Sequence, residues 1–425
     1  PRSSPQLLPI ARHTLRCRVT EDTYVLVSSV SYRGTTIKKY ALNYEQSPTT
    51  GRDELTQVQE CADADATNCL PPTTFTYRSG QIGVSTSAAT AGSGTGIQLR
   101  LHNDFNGDGF EDLAYCNNAS PNVVYVIFGS ASGYGSPVNT GISCAWPLPL
   151  YGDLNASGKD GIFAVNGTDW WYYSWDGSSF LGQDTALPYN SQVSQYVLAD
   201  VNGDGLPDLI SYVPYSIYVR LNASLQSSVR FSSSNSIWYG PLGYTTGVTM
   251  FSNTDGTNGA NLYGTLKSFD FNGDGRQDIA LQVVGGSGQI DEYELISGSS
   301  SFSAVPVAAV GAISSPTFLD FNSDGCTDYA YGGTIYVSGC NGTVAEEIGL
   351  GGVSVIGAMD WNGDGYTDIL VQNGSTIGVY LSEGNGISSL QSTSIPYNSS
   401  DVYFAFDADG DGLDDLGFTA LGTVC

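Results

Sequence analysis

DFNGDGFED at Asp104–Asp112, DVNGDGLPD at Asp200–Asp208, DFNGDGRQD at Asp270–Asp278, DFNSDGCTD at Asp320–Asp328, DWNGDGYTD at Asp360–Asp368 and DADGDGLDD at Asp407–Asp415 are six copies of one nine-residue block. A seventh, damaged copy, DLNASGKDG, starts at Asp153. Successive starts lie 49, 47, 70, 50, 40 and 47 residues apart, a period near 50 with one insertion between Asp200 and Asp270. That period is propeller-blade spacing, and a parallel β-helix needs a much shorter repeat.

Each intact block places side-chain oxygens at positions 1, 3, 5 and 9 and Gly at position 6, where a sharp reversal is needed. Odd positions of a tight loop can all turn inward, and the carbonyl of position 7 adds another oxygen. A hard cation with several oxygen ligands is Ca²⁺. The expected ligands are Asp104, Asn106, Asp108, the Phe110 carbonyl and Asp112 in the first block, and Asp200, Asn202, Asp204, Leu206 and Asp208 in the next intact one. They continue as Asp270, Asn272, Asp274, Arg276 and Asp278, then Asp320, Asn322, Asp324, Cys326 and Asp328. Asp360, Asn362, Asp364, Tyr366 and Asp368 follow, and then Asp407, Asp409, Asp411, Leu413 and Asp415, about six calcium sites in all. In the damaged copy Ser157 replaces the position 5 acid and Gly161 the position 9 acid, so calcium is not expected there.

An EF-hand is excluded at position 12, where its bidentate Glu is replaced by Tyr115, Ser211, Leu281, Tyr331, Val371 and Phe418. The flanks agree, since DLAYC, DLISYV, DIALQVV, DYAYG, DILVQ and DLGFTA are short strand-like runs without helical periodicity. A second element follows in VVYVIFG from Val123, SIYVRLN from Ser216, TIYVSG from Thr334 and TIGVYLS from Thr376. Each repeat therefore reads as strand, calcium loop, strand, turn, strand, Gly/Ser-rich turn, strand. Seven such units predict an all-β chain built as a seven-bladed β-propeller.

The chain has 425 residues, 15 Lys+Arg against 42 Asp+Glu, and a formal net charge of −27. Residues 1–80 are nearly neutral, and residues 81–425 carry 34 of the acids. The small-residue stretch Gln81–Gly96 has linker composition, so the expected division is a β-segment over 1–80 and the propeller over 81–425. With 41% hydrophobic residues the chain is not disordered, and its 53 Gly and 17 Pro favour turns and short strands. The absence of a basic face argues against nucleic acid as a partner. The longest apolar run, Ala304–Ile313, is too short to span a bilayer. The chain opens on Pro and shows no leader, which reads as a processed or excised piece of something longer.

Eight Cys include three closely spaced pairs, Cys61 with Cys69, Cys116 with Cys144 and Cys326 with Cys340, read as local disulfides formed in an oxidising compartment. Cys17 and Cys425 are the remainder. A zinc site lacks its ligand spacing, because no CxxC occurs and the only His are His13 and His102.

Aromatic residues suggest two places for recognition. In WWYYSW, Trp170–Trp175, alternation puts Trp170 and Tyr172 on one face and Trp171, Tyr173 and Trp175 on the other. Packing between blades is the first reading and a sugar-stacking platform the second. The insertion from Asn222 to Thr265, with Trp238, Tyr239 and Tyr244, is the expected partner-facing loop. No GxSxG, HExxH, P-loop or Cys–His pair is present, so no enzyme is expected, although two Asp on different blades facing each other as a glycosidase pair stay open.

The blocks over residues 97–425 resemble FG-GAP/VCBS repeats, which build integrin-alpha-like propellers. The segment Leu26–Tyr77, with YEQS, LxxxQEC and CLPPTxFxY in that order, resembles the region before the propeller in SpvB/TcB-type bacterial toxin-complex and Rhs-like proteins. The resemblance implies a secreted bacterial module without catalytic activity that docks a toxin-complex component, with a Rhs/YD-repeat shell downstream of Cys425. The alternative is a calcium-dependent lectin or integrin-like adhesin binding a glycan. Only Leu416–Cys425 follow the last loop, so residues 73–85 are expected to pair with the final blade and close the ring, a closure that a Cys17–Cys425 bond would lock.

Overall fold

Leu113, Ala114, Tyr115 and Cys116 are four consecutive buried residues on one strand, which a sheet with one wet face does not allow. Alternate side chains of this strand enter two different cores. Ala114 and Cys116 meet Tyr151, Ile162 and Ala164, while Leu113 and Tyr115 meet Phe404 and Phe406 from the far end of the chain. The strand lies in a sheet covered on both faces by other sheets.

The computed structural model describes residues 27–32, 35–46, 53–62, 67–77, 98–117, 122–145, 147–193, 195–213, 216–224, 228–232, 236–239, 248–250, 269–284, 290–298, 301–306, 317–340, 344–399, 401–407, 414–420 and 423–424. All regular structure among them is β, and no helix is long and apolar enough to cross a membrane. The chain divides into two units, Pro1–Val84 and Ser85–Cys425.

The first unit holds one antiparallel sheet, Val27–Tyr32, Thr35–Gln46, Asp53–Cys61 and Thr73–Thr74, in sequence order. The Cys61–Cys69 disulfide ties the loop after its third strand.

The second unit holds seven antiparallel sheets among the described residues, each a meander of consecutive strands. Sheet I is Gln98–Asn103, Asp112–Asn117, Val123–Ile127 and Val138–Ser143, and sheet II is Leu150–Gly152, Gly161–Asn166, Asp169–Trp175 and Phe180–Pro188. Sheet III is Gln195–Ala199, Asp208–Val213, Ser216–Arg220 and Ser236–Tyr239, and sheet IV is Val248–Met250, Ile279–Val284, Ile290–Ser297 and Phe302–Pro306. Sheet V is Thr317–Leu319, Asp328–Tyr331, Thr334–Ser338 and Val344–Gly349, and sheet VI is Val355–Met359, Asp368–Asn373, Thr376–Tyr380 and Gln391–Pro396. Sheet VII has three strands, Val402–Phe406, Asp415–Ala420 and Thr423–Val424.

Neighbouring sheets share apolar cores in chain order. Phe105, Val124 and Ile142 of sheet I pack with Ile162 of sheet II, and Phe163 and Trp170 of sheet II with Leu198 and Leu209 of sheet III. Val197 and Ile210 of sheet III meet Ile279 and Leu295 of sheet IV. Phe269 and Phe271, before the second strand of sheet IV, lie 4.4 and 5.8 Å from the Phe318 ring of sheet V. Ile335 of sheet V meets Ile369 and Val371 of sheet VI, and Leu370 and Val379 of sheet VI meet Tyr403 of sheet VII. Phe404 and Phe406 of sheet VII then return to Leu113 and Ile127 of sheet I. Each such side chain contributes about 1.5–3 kcal/mol by leaving water.

The three local cysteine pairs are disulfides, and Cys116–Cys144 lies inside the core shared by sheets I and II. Cys17 and Cys425 lie outside the described residues. Trp170 and Tyr172 are buried, with Trp170 stacked on Phe163 at 4.6 Å and edge-on to Tyr196 of sheet III at 5.0 Å, so this face of WWYYSW does pack between sheets.

Two expectations are corrected. Thr73 and Thr74 pair with Val58 and Gln57 in the first unit's sheet, so their backbone does not supply a strand to sheet VII. The stretch 78–85 lies outside the described residues. Trp238 and Tyr239 belong to the fourth strand of sheet III rather than to a partner-facing loop, because that sheet completes its four strands from the insertion. Tyr244 lies outside the described residues.

Candidate metal centre

The nine-residue block joins the first and second strands of each sheet, and its position 1 acid organises the turn. In loop I, Asp104 Oδ1 accepts hydrogen bonds from the Gly107 and Asp108 amides at 2.6 and 3.2 Å, and Oδ2 accepts from the Gly109 amide at 2.9 Å. Asn106 Oδ1 accepts from the Asp108 amide at 2.8 Å, and Asp108 Oδ1 from the Phe110 amide at 3.0 Å. Asp200, Asn202 and Asp204 repeat this pattern in loop III. The position 1 and 5 acids do the same with Asp270 and Asp274, Asp320 and Asp324, and Asp360 and Asp364.

Two residues of each turn in loops I and III–VI sit in the left-handed region. Position 6 does so as anticipated, with φ of 83° at Gly109 and 94° at Gly365. Position 4 does so too, at Gly107, Gly203, Gly273 and Gly363 with φ near 70–75°, and at Ser323 with φ 54°. A Cβ on Gly203 would also stand 3.2 Å from Arg276 Cγ of the next loop. Gly203→Ala therefore lowers stability by about 1–2 kcal/mol in denaturant melts. An unchanged midpoint would contradict the left-handed assignment.

Position 9 opens the second strand and is fully buried in Asp112, Asp208, Asp278, Asp328 and Asp368. One oxygen accepts from the amide of position 2, as in Phe105 to Asp112 at 2.8 Å and Phe271 to Asp278 at 2.9 Å. The other accepts from the residue just past, or ending, the third strand: Gly129, Asn222, Ser297, Ser338 or Ser382, at 2.6–2.8 Å. Position 9 is thus a clasp between loop and sheet, whatever else it binds. Position 2 is the apolar anchor, with Phe105, Val201, Phe271 and Phe321 fully buried.

The oxygen-only donor set suits a hard cation. The carboxyls of Asp112, Asp208, Asp278, Asp328 and Asp368 are each pushed up to about 7, first by loss of water and further by the acids at positions 1 and 5, against the pull of the backbone donors. Burial and neighbouring acids therefore favour the protonated form, and a cation bound among these oxygens would favour the charged one. No three of the loop carboxylates lie within 4.8 Å of one another among the described residues. Asp324, Cys326 and Cys340 do, but both sulfurs belong to a disulfide and offer no thiolate. Asp407 and Asp415 of loop VII are described, while Asp409, Asp411 and Leu413 lie outside the described residues.

These shifts carry a pH dependence. With no cation, the five position 9 carboxyls hold a proton in the fold up to about pH 7, against about 4 when unfolded. The folded state binds more protons across that window, so stability falls as pH rises through it. The expected result is a higher melting temperature at pH 5.5 than at pH 8 in chelator. A higher one at pH 8 in chelator would contradict it.

Loop II, the damaged copy, is completed without acids at positions 5 and 9. Ser157 Oγ donates to Asp153 Oδ1 or to the Lys159 carbonyl, 3.3 Å from each. A Cβ on Gly161 would fall 2.3–2.5 Å from the Tyr172 ring and hydroxyl, so the phenol fills the space of the missing carboxylate. Its oxygen accepts the position 2 amide of Leu154 and donates to the Gly152 carbonyl at 3.2 Å. Tyr172 performs the clasp that Asp performs elsewhere.

Residues 270–331 and 360–418 match the FG-GAP-like repeat. These segments span loops IV, V, VI and VII. No curated protein matches the chain. Among solved structures, an Agrocybe aegerita lectin that recognises non-reducing terminal N-acetylglucosamine superposes with a TM-score of 0.53 at 16% identity, over 86% of this chain and 93% of that one. At that identity the likeness is one of fold. The Tc holotoxin pore of Photorhabdus luminescens gives 0.38 at 16% identity, over 92% of this chain and 17% of that one. A rhamnogalacturonan lyase of Bacillus licheniformis gives 0.40 at 11% identity, over 94% and 86% of the two chains.

Proposed function

We propose that the second unit is a seven-bladed β-propeller of FG-GAP-like repeats, clipped by calcium, that serves as a non-catalytic protein-docking module of a secreted bacterial toxin-complex or Rhs-type protein. The observation that carries the reading is the use of the loop acids. In loops I and III–VI, positions 1, 5 and 9 are committed to backbone amides that shape the loop and fasten it to its sheet. Groups so placed build a scaffold rather than a paired acid and base. The return of sheet VII onto sheet I supports the blade count. The segment Leu26–Tyr77 supports the toxin-complex assignment, and the three disulfides are compatible with an extracellular setting. Mixing the calcium-loaded chain with a Rhs-repeat shell protein and following sedimentation velocity tests it. A complex is expected, and two independent boundaries at micromolar concentrations would refute docking to that shell.

A specific arrangement favours glycan binding as a second reading. On the outer strands of sheet II, Trp171 and Tyr173 stack at 6.3 Å with 27° between their planes, leaning over Gly182. Exposed Asp184 is the cross-strand partner of Trp171. A flat aromatic ledge beside a carboxylate is chemistry that holds a pyranose by its C–H face and hydroxyls. Glycan-array binding lost in Trp171→Ala supports this reading, and a blank array with the native chain removes it.

A further inference from the structure

The metal loops are joined to one another by a contact that recurs from sheet to sheet. Position 8 of loops II, IV, V and VII reaches back to position 1 of the loop before it. Asp160 of loop II donates its amide to the Asp104 carbonyl at 2.9 Å, and its Oδ2 accepts the Asp104 amide at 2.8 Å. Gln277 of loop IV makes the same pair with Asp200, amide to carbonyl at 2.8 Å and Oε1 from amide at 2.6 Å. Thr327 of loop V donates its amide and hydroxyl to the Asp270 carbonyl at 3.1 and 3.3 Å, and Asp414 of loop VII accepts the Asp360 amide at 2.7 Å.

Where position 8 is Pro207 it has no amide to give, and Asn222 donates to both the Pro207 and Leu154 carbonyls at 3.0 and 2.9 Å. Between loops V and VI, Ser323 donates its hydroxyl to the Gly365 carbonyl. Position 7 adds a steric contact. Cβ atoms on Gly107, Gly203 and Gly273 would stand 2.9, 3.2 and 3.0 Å from Lys159, Arg276 and Cys326 of the following loop.

Resting on the calcium reading above, we propose that the loops fill as a coupled row, each loop's affinity for calcium depending on the folded state of the loop that follows it. The clasp grips the backbone on both sides of the position 1 acid, the residue around which the whole turn is hydrogen-bonded. A following loop that is slack releases that residue, and the ligands it orients lose their preorganisation. Nearest-neighbour coupling of this kind gives a one-dimensional chain, and its calcium dependence is steeper than that of independent sites. Loop II has a fixed place in the row. Its phenol and hydroxyl complete it without the missing acids, so it presents Asp160 to loop I at any calcium concentration.

Asp160 makes the test clean, because it belongs to a loop without the ligand set. A change in calcium binding at residues 104–112 then reports the lost contact between the two loops and not the loss of a ligand. Hydrogen exchange of the full chain, titrated with calcium and resolved by peptide, is read at 104–112, 200–208 and 360–368. In Asp160→Ala the calcium midpoint for 104–112 rises about tenfold while that for 360–368 stays, since an orphaned amide at position 1 weakens the loop. Asp160→Asn, whose amide oxygen still accepts the Asp104 amide, restores most of the native midpoint. Gln277→Ala shifts 200–208 in the same way, and serves if Asp160→Ala fails to fold. Native-like midpoints in these variants overturn the coupling alone. Absence of calcium-dependent protection in the native chain overturns the calcium reading and the coupling with it.

Discussion

Removing calcium from the full chain lowers its melting temperature by on the order of 20 °C. A site held at about a hundred times its dissociation constant stabilises the fold by about 2.7 kcal/mol, and five or six such sites sum to well over 10 kcal/mol. A melting temperature in excess chelator equal to that in millimolar calcium would leave the loops as metal-free turns. The coupling between loops sharpens the expectation, because the first ions removed take the anchor of a neighbour with them.

In saturating calcium, Asp208→Ala lowers stability by about 3–6 kcal/mol. The carboxylate is fully buried and satisfies the amides of Val201 and Asn222 at 3.2 and 2.7 Å. Its removal orphans both donors, at about 1–3 kcal/mol each, before any loss of metal is counted. Asp204→Ala is the contrast, since position 5 is exposed and its loss removes mainly the metal's contribution. Denaturant melts of the two variants beside the native chain separate the roles. A change below about 1 kcal/mol in Asp208→Ala would show that position 9 is no clasp.

Much of this was legible in the sequence because it is local. A nine-residue block with Gly at position 6 states its own turn, and runs such as Leu113–Cys116 state the strand that follows it. The close cysteine pairs declare themselves by spacing. What escaped depends on backbone groups or on distant residues. Position 4 is as left-handed as position 6, yet Ser323 in loop V breaks the glycine pattern that would have marked it. Position 8 reads as noise, being Glu111, Asp160, Pro207, Gln277, Thr327, Thr367 and Asp414, because in loops II, IV and V its amide makes the contact and almost any side chain provides one. Tyr172 replaces a carboxylate from another strand, and the sequence of loop II shows only the gap it fills. Trp238 looked like a loop residue because the insertion was judged by its length, whereas sheet III needed a fourth strand.

The net charge of −27 is concentrated in the part of the chain that carries the loops. The acids gather in short turns where Lys and Arg are scarce, and the five buried position 9 carboxyls lie in the most confined places of all. On the calcium reading proposed above, such charge is met by a small, hard counterion inside the protein more than by a basic partner outside it.

The most direct test is a count of bound metal. The full chain, stripped with chelator, refilled with calcium and passed through metal-free buffer, is titrated by calorimetry and assayed for calcium per chain. About six ions per chain are expected, with the number falling by one in Asp204→Ala and unchanged when Ser157 of loop II is replaced by Ala. A chain that binds no calcium, or that loses a site with Ser157→Ala, would contradict the account.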